Sequence, residues 1–162
     1  MAEEEYEKII KLITEENVPF ETFEHIAVRT SAEAAIVRGA EIKQGVKALV
    51  IKFKRSTGDF FAVCDIPADR KLDWKKAKIV FKATDARMAT EEEVVEHTNC
   101  QPGGVPPFGH GKTLGIIVDP HVFDEETLEF NAGLKTKSVR IKSRDLKKVF
   151  EKIGVAYFDL TL

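Results

Sequence analysis

Cysteine is scarce in this sequence, at two residues among 162. Cys64 and Cys100 stand far apart, without the CxxC spacing of a zinc site or redox pair, so they read as reduced structural thiols. No apolar run approaches the roughly 20 residues that cross a bilayer. The opening "MAEEEYEKII" is acidic and lacks the basic and apolar regions of a signal peptide, so a cytoplasmic location without membrane contact is expected. Positive charge is not in excess either: 25 basic and 27 acidic residues leave a net charge of −2. Any nucleic-acid contact must then come from a local patch. His25, His97, His110 and His121 show no i, i+4 pairing, so no metal is expected. The serines lack the G-x-S-x-G setting of a hydrolase elbow. No Walker A loop, G-x-G-x-x-G fingerprint, repeat or linker occurs, and no cofactor is expected. Hydrophobic content of 43% and charged content of 32% suit one ordinary globular domain over 1–162.

What is present mixes helical and extended patterns. Tyr6, Ile9, Ile10 and Ile13 fall on one face of an opening helix, which Asn17 and Pro19 end. A short strand follows near Phe20–His25. Thr30-Ser-Ala-Glu33 reads as a capping box for a helix stopped by Gly39. "VKALVIKFK" (Val46–Lys54) and "FFAVCDI" (Phe60–Ile66) form a hairpin across "STGD". Asp73 caps a short helix to Ile79, and Thr90-Glu-Glu-Glu93 starts another to about His97. Strands are expected at Leu114–Asp119, Leu128–Ala132 and Ser138–Ile141. Ser143 caps a last helix with Leu146, Val149, Phe150 and Ile153 inward and Gly154 as its stop; "VAYFDL" closes as a strand. Without regular βαβ alternation, one α+β domain on a mixed sheet is expected.

Proline is also sparse, yet three of the six prolines and three of the ten glycines crowd into "QPGGVPPFGH" (Gln101–His110). Proline excludes helix and central strand, and glycine admits positive φ and close approach of another group. The segment is a loop of fixed path whose N–H groups at Gly103, Gly104, Val105, Phe108, Gly109 and His110 are free to face a partner or simply to join two elements. Lys47 shares strand parity with Leu49, Ile51 and Phe53. It either snorkels to water from the strand's start or stands at the mouth of a cavity.

The lysine strand "GVKALVIKF", the loop "GGVPPFG" and "FNAG" (Phe130–Gly133) before "SVRI" together resemble the YbaK/prolyl-tRNA-synthetase-associated editing domain family, over about residues 20–160. "TSAEAA" (Thr30–Ala35) and the acidic helix before the loop are similar too. The resemblance implies a curved, barrel-like mixed sheet flanked by helices. It also implies a deacylase acting in trans, which hydrolyses the ester of mischarged tRNA. Lys47 matches the family's active-site lysine. Gly103, Gly104, Val105, Pro107, Phe108, Gly109 and His110 match the substrate loop, with Thr30, Asn131 and Gly133 as further substrate-binding positions. Asn131 stands where some members place a histidine, and Ala48 where alanine-deacylating members carry a polar side chain; both departures bear on amino-acid specificity. The implied partner is the aminoacylated acceptor end of tRNA, not DNA, with a synthetase or elongation factor presenting it. Local basic candidates for tRNA are Lys71, Lys75, Lys76, Lys78, Lys135, Lys137, Arg140 and Lys142. The alternatives are a non-catalytic tRNA- or synthetase-binding module of the same fold, and a small-molecule hydrolase, for which no motif speaks.

Overall fold

The computed structural model describes residues 2–28, 30–111 and 114–162. Helix α1 (Ala2–Glu15) buries Ile9 and Ile13, as its apolar spacing requires, and the chain turns out of it through Asn17 at φ +54°. Strand β1 (Phe20–Glu24) follows. Helix α2 (Ser31–Arg38) starts at Thr30, whose side chain accepts from the Glu33 N–H, and stops at Gly39 with φ +65°. A 3-10 turn (Ile42–Gln44) leads into the hairpin of β2 (Val46–Lys54) and β3 (Phe60–Pro67). Next come α3 (Trp74–Phe81), capped by Asp73, then β4 (Asp85–Met88), and α4 (Glu91–Thr98), where Thr90 and Glu93 cap each other. After the Pro/Gly loop, β5 (Gly115–Val118), a 3-10 turn (Pro120–Asp124), β6 (Thr127–Asn131), β7 (Lys137–Lys142), α5 (Ser143–Ile153) and β8 (Ala156–Tyr157) complete the order.

Three local expectations change. Strand β4 carries "DARM", too polar and short to be read from its sequence. Ser143 lies inside α5, where Lys142 is the cap residue without a side-chain bond. The closing strand shrinks to two residues, because the tail beyond it leaves β5 and bridges Leu72 through Thr161, with Asp119 Oδ2 accepting from the Leu160 N–H at 2.9 Å.

The α+β fold stands as expected; the strands form two sheets, which do not close into a barrel. One is antiparallel, β1-β7-β6; the other is mixed, β4-β2-β3-β5-β8, with β5 parallel to both neighbours. Among the described residues they meet at an isolated parallel bridge, Gly45 with Glu129. The inner face of the first sheet (Leu128, Phe130, Val139, Ile141) packs with α1 and α5 into the main core. The second sheet is covered on both faces: α3 lies over Ile51, Phe53, Ala62 and Cys64, and α4 over Val50 and Val63. Such double coverage explains why β2 reads as apolar at both parities. Among the described residues no helix is long and apolar enough to cross a membrane.

Asp65 on β3 is fully buried, and neither carboxylate oxygen has a hydrogen-bond partner among the described residues. Desolvation pushes its pKa well above the ordinary 3.8. The unfolded chain therefore releases this proton at lower pH than the fold does, and stability falls as pH rises between the two values, by at most about 1.4 kcal/mol per unit. Asp65→Asn, which cannot titrate, should gain thermal stability relative to the parent progressively from pH 4 upward. A stability difference independent of pH would contradict a buried, protonated Asp65.

Candidate active site

Strand β2 is paired with β3 from Val46 to Phe53, but β4 pairs only with its second half, from Ile51 to Lys54. The first half is an open edge. Val50 O accepts from the Ala89 N–H on that side, so the backbone N–H and C=O of Ala48, two residues earlier, face the same gap. A cavity of about 310 Å³ lies against this edge, roofed by α2 and closed by β6, the start of α4 and the Pro102–Val105 turn. An open edge is approached from both sheet faces, which is why Lys47 and Leu49 line the cavity together with Val46, Ala48 and Val50.

Lys47 is half-buried and makes no hydrogen bond or ion pair among the described residues. Desolvation lowers its pKa from 10.5, with Asp69 acting in the opposite direction. Its ammonium is thus available to a ligand. Pro102 and Gly103 occupy the centre of a turn closed by Gly104 N–H to Gln101 O at 2.9 Å, and Gly103 sits at φ +88°, the type II arrangement. This corrects the expectation that the Gly104 N–H is free. The N–H groups of Gly103 and Val105 have no protein partner among the described residues.

Of the residues expected at the site, Lys47, Thr30, Gly103, Val105 and Asn131 line this cavity. Thr30 spends its hydroxyl as acceptor for the Glu33 N–H. Gly104 and Gly133 stand behind the wall, joined by Gly133 N–H to Gly104 O at 2.9 Å. Pro107, Phe108, Gly109 and His110 are not brought there. The Phe108 ring is fully buried in the core, edge-on to Phe130 and Phe150. Gly109, at φ +90°, lets the chain pass α1, where a Cβ would sit 2.6 Å from Ile9 Cδ1. His110 is bonded to Pro106 O and its pKa is lowered by burial. The loop therefore divides, its first half walling the cavity and its second anchoring in the core. Among the basic candidates, Lys135 lies beside Gly103 at the rim, whereas Lys76 is held by Asp159 and Arg140 by Glu129.

Two further wall residues escape sequence reading, Arg38 and Glu129. Arg38 ends α2 and looks like a helix-terminus charge; its side chain is only 6% exposed. Its Nε–H donates to Ser138 Oγ at 2.9 Å and its Nη2 to Asn131 Oδ1 at 3.0 Å. Glu129 is buried and accepts from Arg140 Nε at 2.6 Å. The alternation of Glu129 and Asn131 along β6 is the signal that marks this polar face.

The description "Aminoacyl-tRNA editing domain" fits a family model that matches residues 25–149. The chain belongs to this family. A curated relative, "Multifunctional Ser/Thr-tRNA deacylase ProXp-y" of Escherichia coli strain K12, is 30% identical over 145 residues, 89% of this chain and 87% of the relative. A proline–tRNA ligase of Chlamydia muridarum is 30% identical over 82 residues, which are half of this chain and 14% of the ligase. A crystal structure described as a candidate trans-editing enzyme for prolyl tRNA synthetase superposes with a TM-score of 0.79 at 27% identity, covering 98% of this chain and 97% of that one. Among these editing domains the α+β architecture is thus common property. The matched span of 25–149 starts before α2 and ends within α5, so it contains every wall of the cavity.

Proposed function

We propose that this protein is a trans-acting aminoacyl-tRNA deacylase that hydrolyses the ester of mischarged tRNA in the cavity along β2. The observation that carries the reading is an unpaired lysine ammonium beside an open strand edge, inside a chain of the editing family. An aminoacyl ester is already activated, so positioning and charge stabilisation suffice without a protein nucleophile. Lys47 and the N–H groups of Ala48, Gly103 and Val105 supply donors for the ester and terminal ribose. A preorganised donor of this kind is worth about 10²–10³ in rate. Water attacks the carbonyl carbon, the ester C–O bond breaks, and the ribose hydroxyl leaves with a proton.

The substrate partner is the charged acceptor end of tRNA. A synthetase partner presents it in this reading, in keeping with the partial match to proline–tRNA ligases and with a net charge of −2 that gives little long-range pull on nucleic acid. The test is amino-acid release from tRNAs charged with each of the twenty amino acids, with and without a prolyl-tRNA synthetase. Turnover of a subset is expected. Retention of tRNA without turnover would instead make the protein a binding module, and turnover of simple esters with indifference to tRNA a small-molecule hydrolase.

A further inference from the structure

The cavity has two flanks of opposite charge. Lys47 shares a strand face with Leu49, Ile51 and Phe53, the face that α3 covers, and it feels the charge of Asp69 in the segment leading to that helix. Ala68 lines the cavity, so this segment runs from the cavity's lip into α3. Between Asp69 and Lys82 stand six basic residues and two acidic ones, in a chain whose net charge is −2. On the other face of the sheet α4 begins with Glu91, Glu92 and Glu93, and Glu91 lines the cavity. Arg87 pairs with Glu93, while Glu91, Glu92 and Glu96 are exposed carboxylates without an ion pair among the described residues.

Helix α3 holds its positive charge without compensation. It carries Lys75, Lys76 and Lys78 and no acidic residue, and Lys82 follows as its cap. Lys76 is paired with Asp159 at 2.9 Å, but the ammonium groups of Lys71, Lys75, Lys78 and Lys82 meet no partner among the described residues. Lys75 and Lys78, and Lys78 and Lys82, have the i,i+3 and i,i+4 spacings at which like charges repel. The outer face is open, since Ile79 beside these lysines is 75% exposed. Most of the second basic group is spent elsewhere: Lys137 on Glu3, Arg140 on Glu129 and Lys142 on Glu126. Resting on the deacylase reading above, we infer that Lys71, Lys75, Lys78 and Lys82 bind the sugar-phosphate backbone of the charged tRNA, so that the acceptor stem leaves the cavity over α3. A polyanion whose 3′ end sits at Lys47 has to leave by one flank. The carboxylates of α4 repel its phosphates, and the α3 lysines attract them.

The experiment compares two substrates with one ester: the amino acid that turns over fastest in the tRNA panel, carried by its full-length tRNA or by adenosine alone. Lys71→Glu with Lys75→Glu reverses two exposed charges near the lip; the control, Lys11→Glu with Lys152→Glu, makes the same charge change on α1 and α5. Wild-type kcat/KM on charged tRNA should fall steeply between about 50 and 200 mM salt. The Lys71/Lys75 variant should lose on the order of tenfold on charged tRNA and flatten the log–log salt slope by about one per phosphate contact removed. On aminoacyl-adenosine it should keep the wild-type rate, and the control should match wild type on both substrates. Melting curves accompany each variant, and Lys71→Ala with Lys75→Ala keeps the test alive if the reversal does not fold. Unchanged tRNA turnover and slope, an equal loss in the control, or an equal loss on aminoacyl-adenosine overturns the α3 contact and leaves the deacylase reading standing. A loss that appears only with a synthetase present assigns the face to that protein and overturns the RNA contact too. Wild-type failure to release an amino acid from any charged tRNA overturns the deacylase reading, and this inference with it.

Discussion

Lys47→Ala should reduce single-turnover deacylation by roughly 100-fold or more, the scale set by loss of one preorganised electrostatic contact to the reacting ester. The fold should be indifferent. Lys47 makes no hydrogen bond or ion pair among the described residues, and desolvation already works against its charge. Removing a cation that the protein does not pair should leave the melting temperature unchanged or slightly higher. A lysine that merely snorkels from the strand start would show the same melting curve, so only the rate separates the two roles. Measured on the same preparation, a near-wild-type rate would remove Lys47 from the mechanism.

Gly133→Val should be the most damaging single change to the scaffold. Gly133 has φ +96°, and a Cβ there would stand 3.0 Å from Tyr6 N and 3.2 Å from Glu5 Cβ. These atoms belong to helix α1 and cannot swing aside as a side-chain tip does. Left-handed backbone costs a branched residue about 1–3 kcal/mol, and overpacking costs a further 1–3 or so. The melting temperature should fall on the order of 10 °C for a domain of this size. Activity should fall with it, because Gly133 N–H holds Gly104 O and Asn131 lies two residues away. Gly154→Val is the internal control: its φ of +88° is similar, but nothing lies within 4 Å of the added Cβ, so only the backbone cost remains. Equal melting of the two variants would show that the approach of α1 does not constrain position 133.

Local patterning carried the elements where one residue type has one physical role. Thr30, Asp73 and Thr90 cap helices because their oxygens meet N–H groups that the first turn leaves open, and Gly39 and Gly154 stop helices at positive φ. Lys47 was visible as a charge on an apolar strand for the same reason. What stayed hidden depends on pairing at a distance. That β4 stops at Ile51 and leaves the first half of β2 open is a fact of register, and no residue in "VKAL" announces it. Phe108 and Gly109 sit in one motif with Gly103 and Val105, yet side-chain burial sends them to the core, and composition cannot divide the loop between its two tasks. Arg38 was unreadable because a basic residue in a helix's last turn usually faces water; only the position of β7 and β6 beneath α2 turns it inward.

The open edge of β2 has a consequence for how this protein lives with its neighbours. Unpaired strand edges invite other chains to add themselves, and most proteins blunt them with charge, bulges or short length. Here the edge stays bare, but α2 and the Pro102–Val105 turn stand over it and leave room for about 310 Å³. A group the size of an amino acid can enter that space, whereas a partner strand cannot. The enclosure thus works as a size gate against self-association, and hydrogen-bonding capacity that would otherwise recruit aggregates is kept for a small guest.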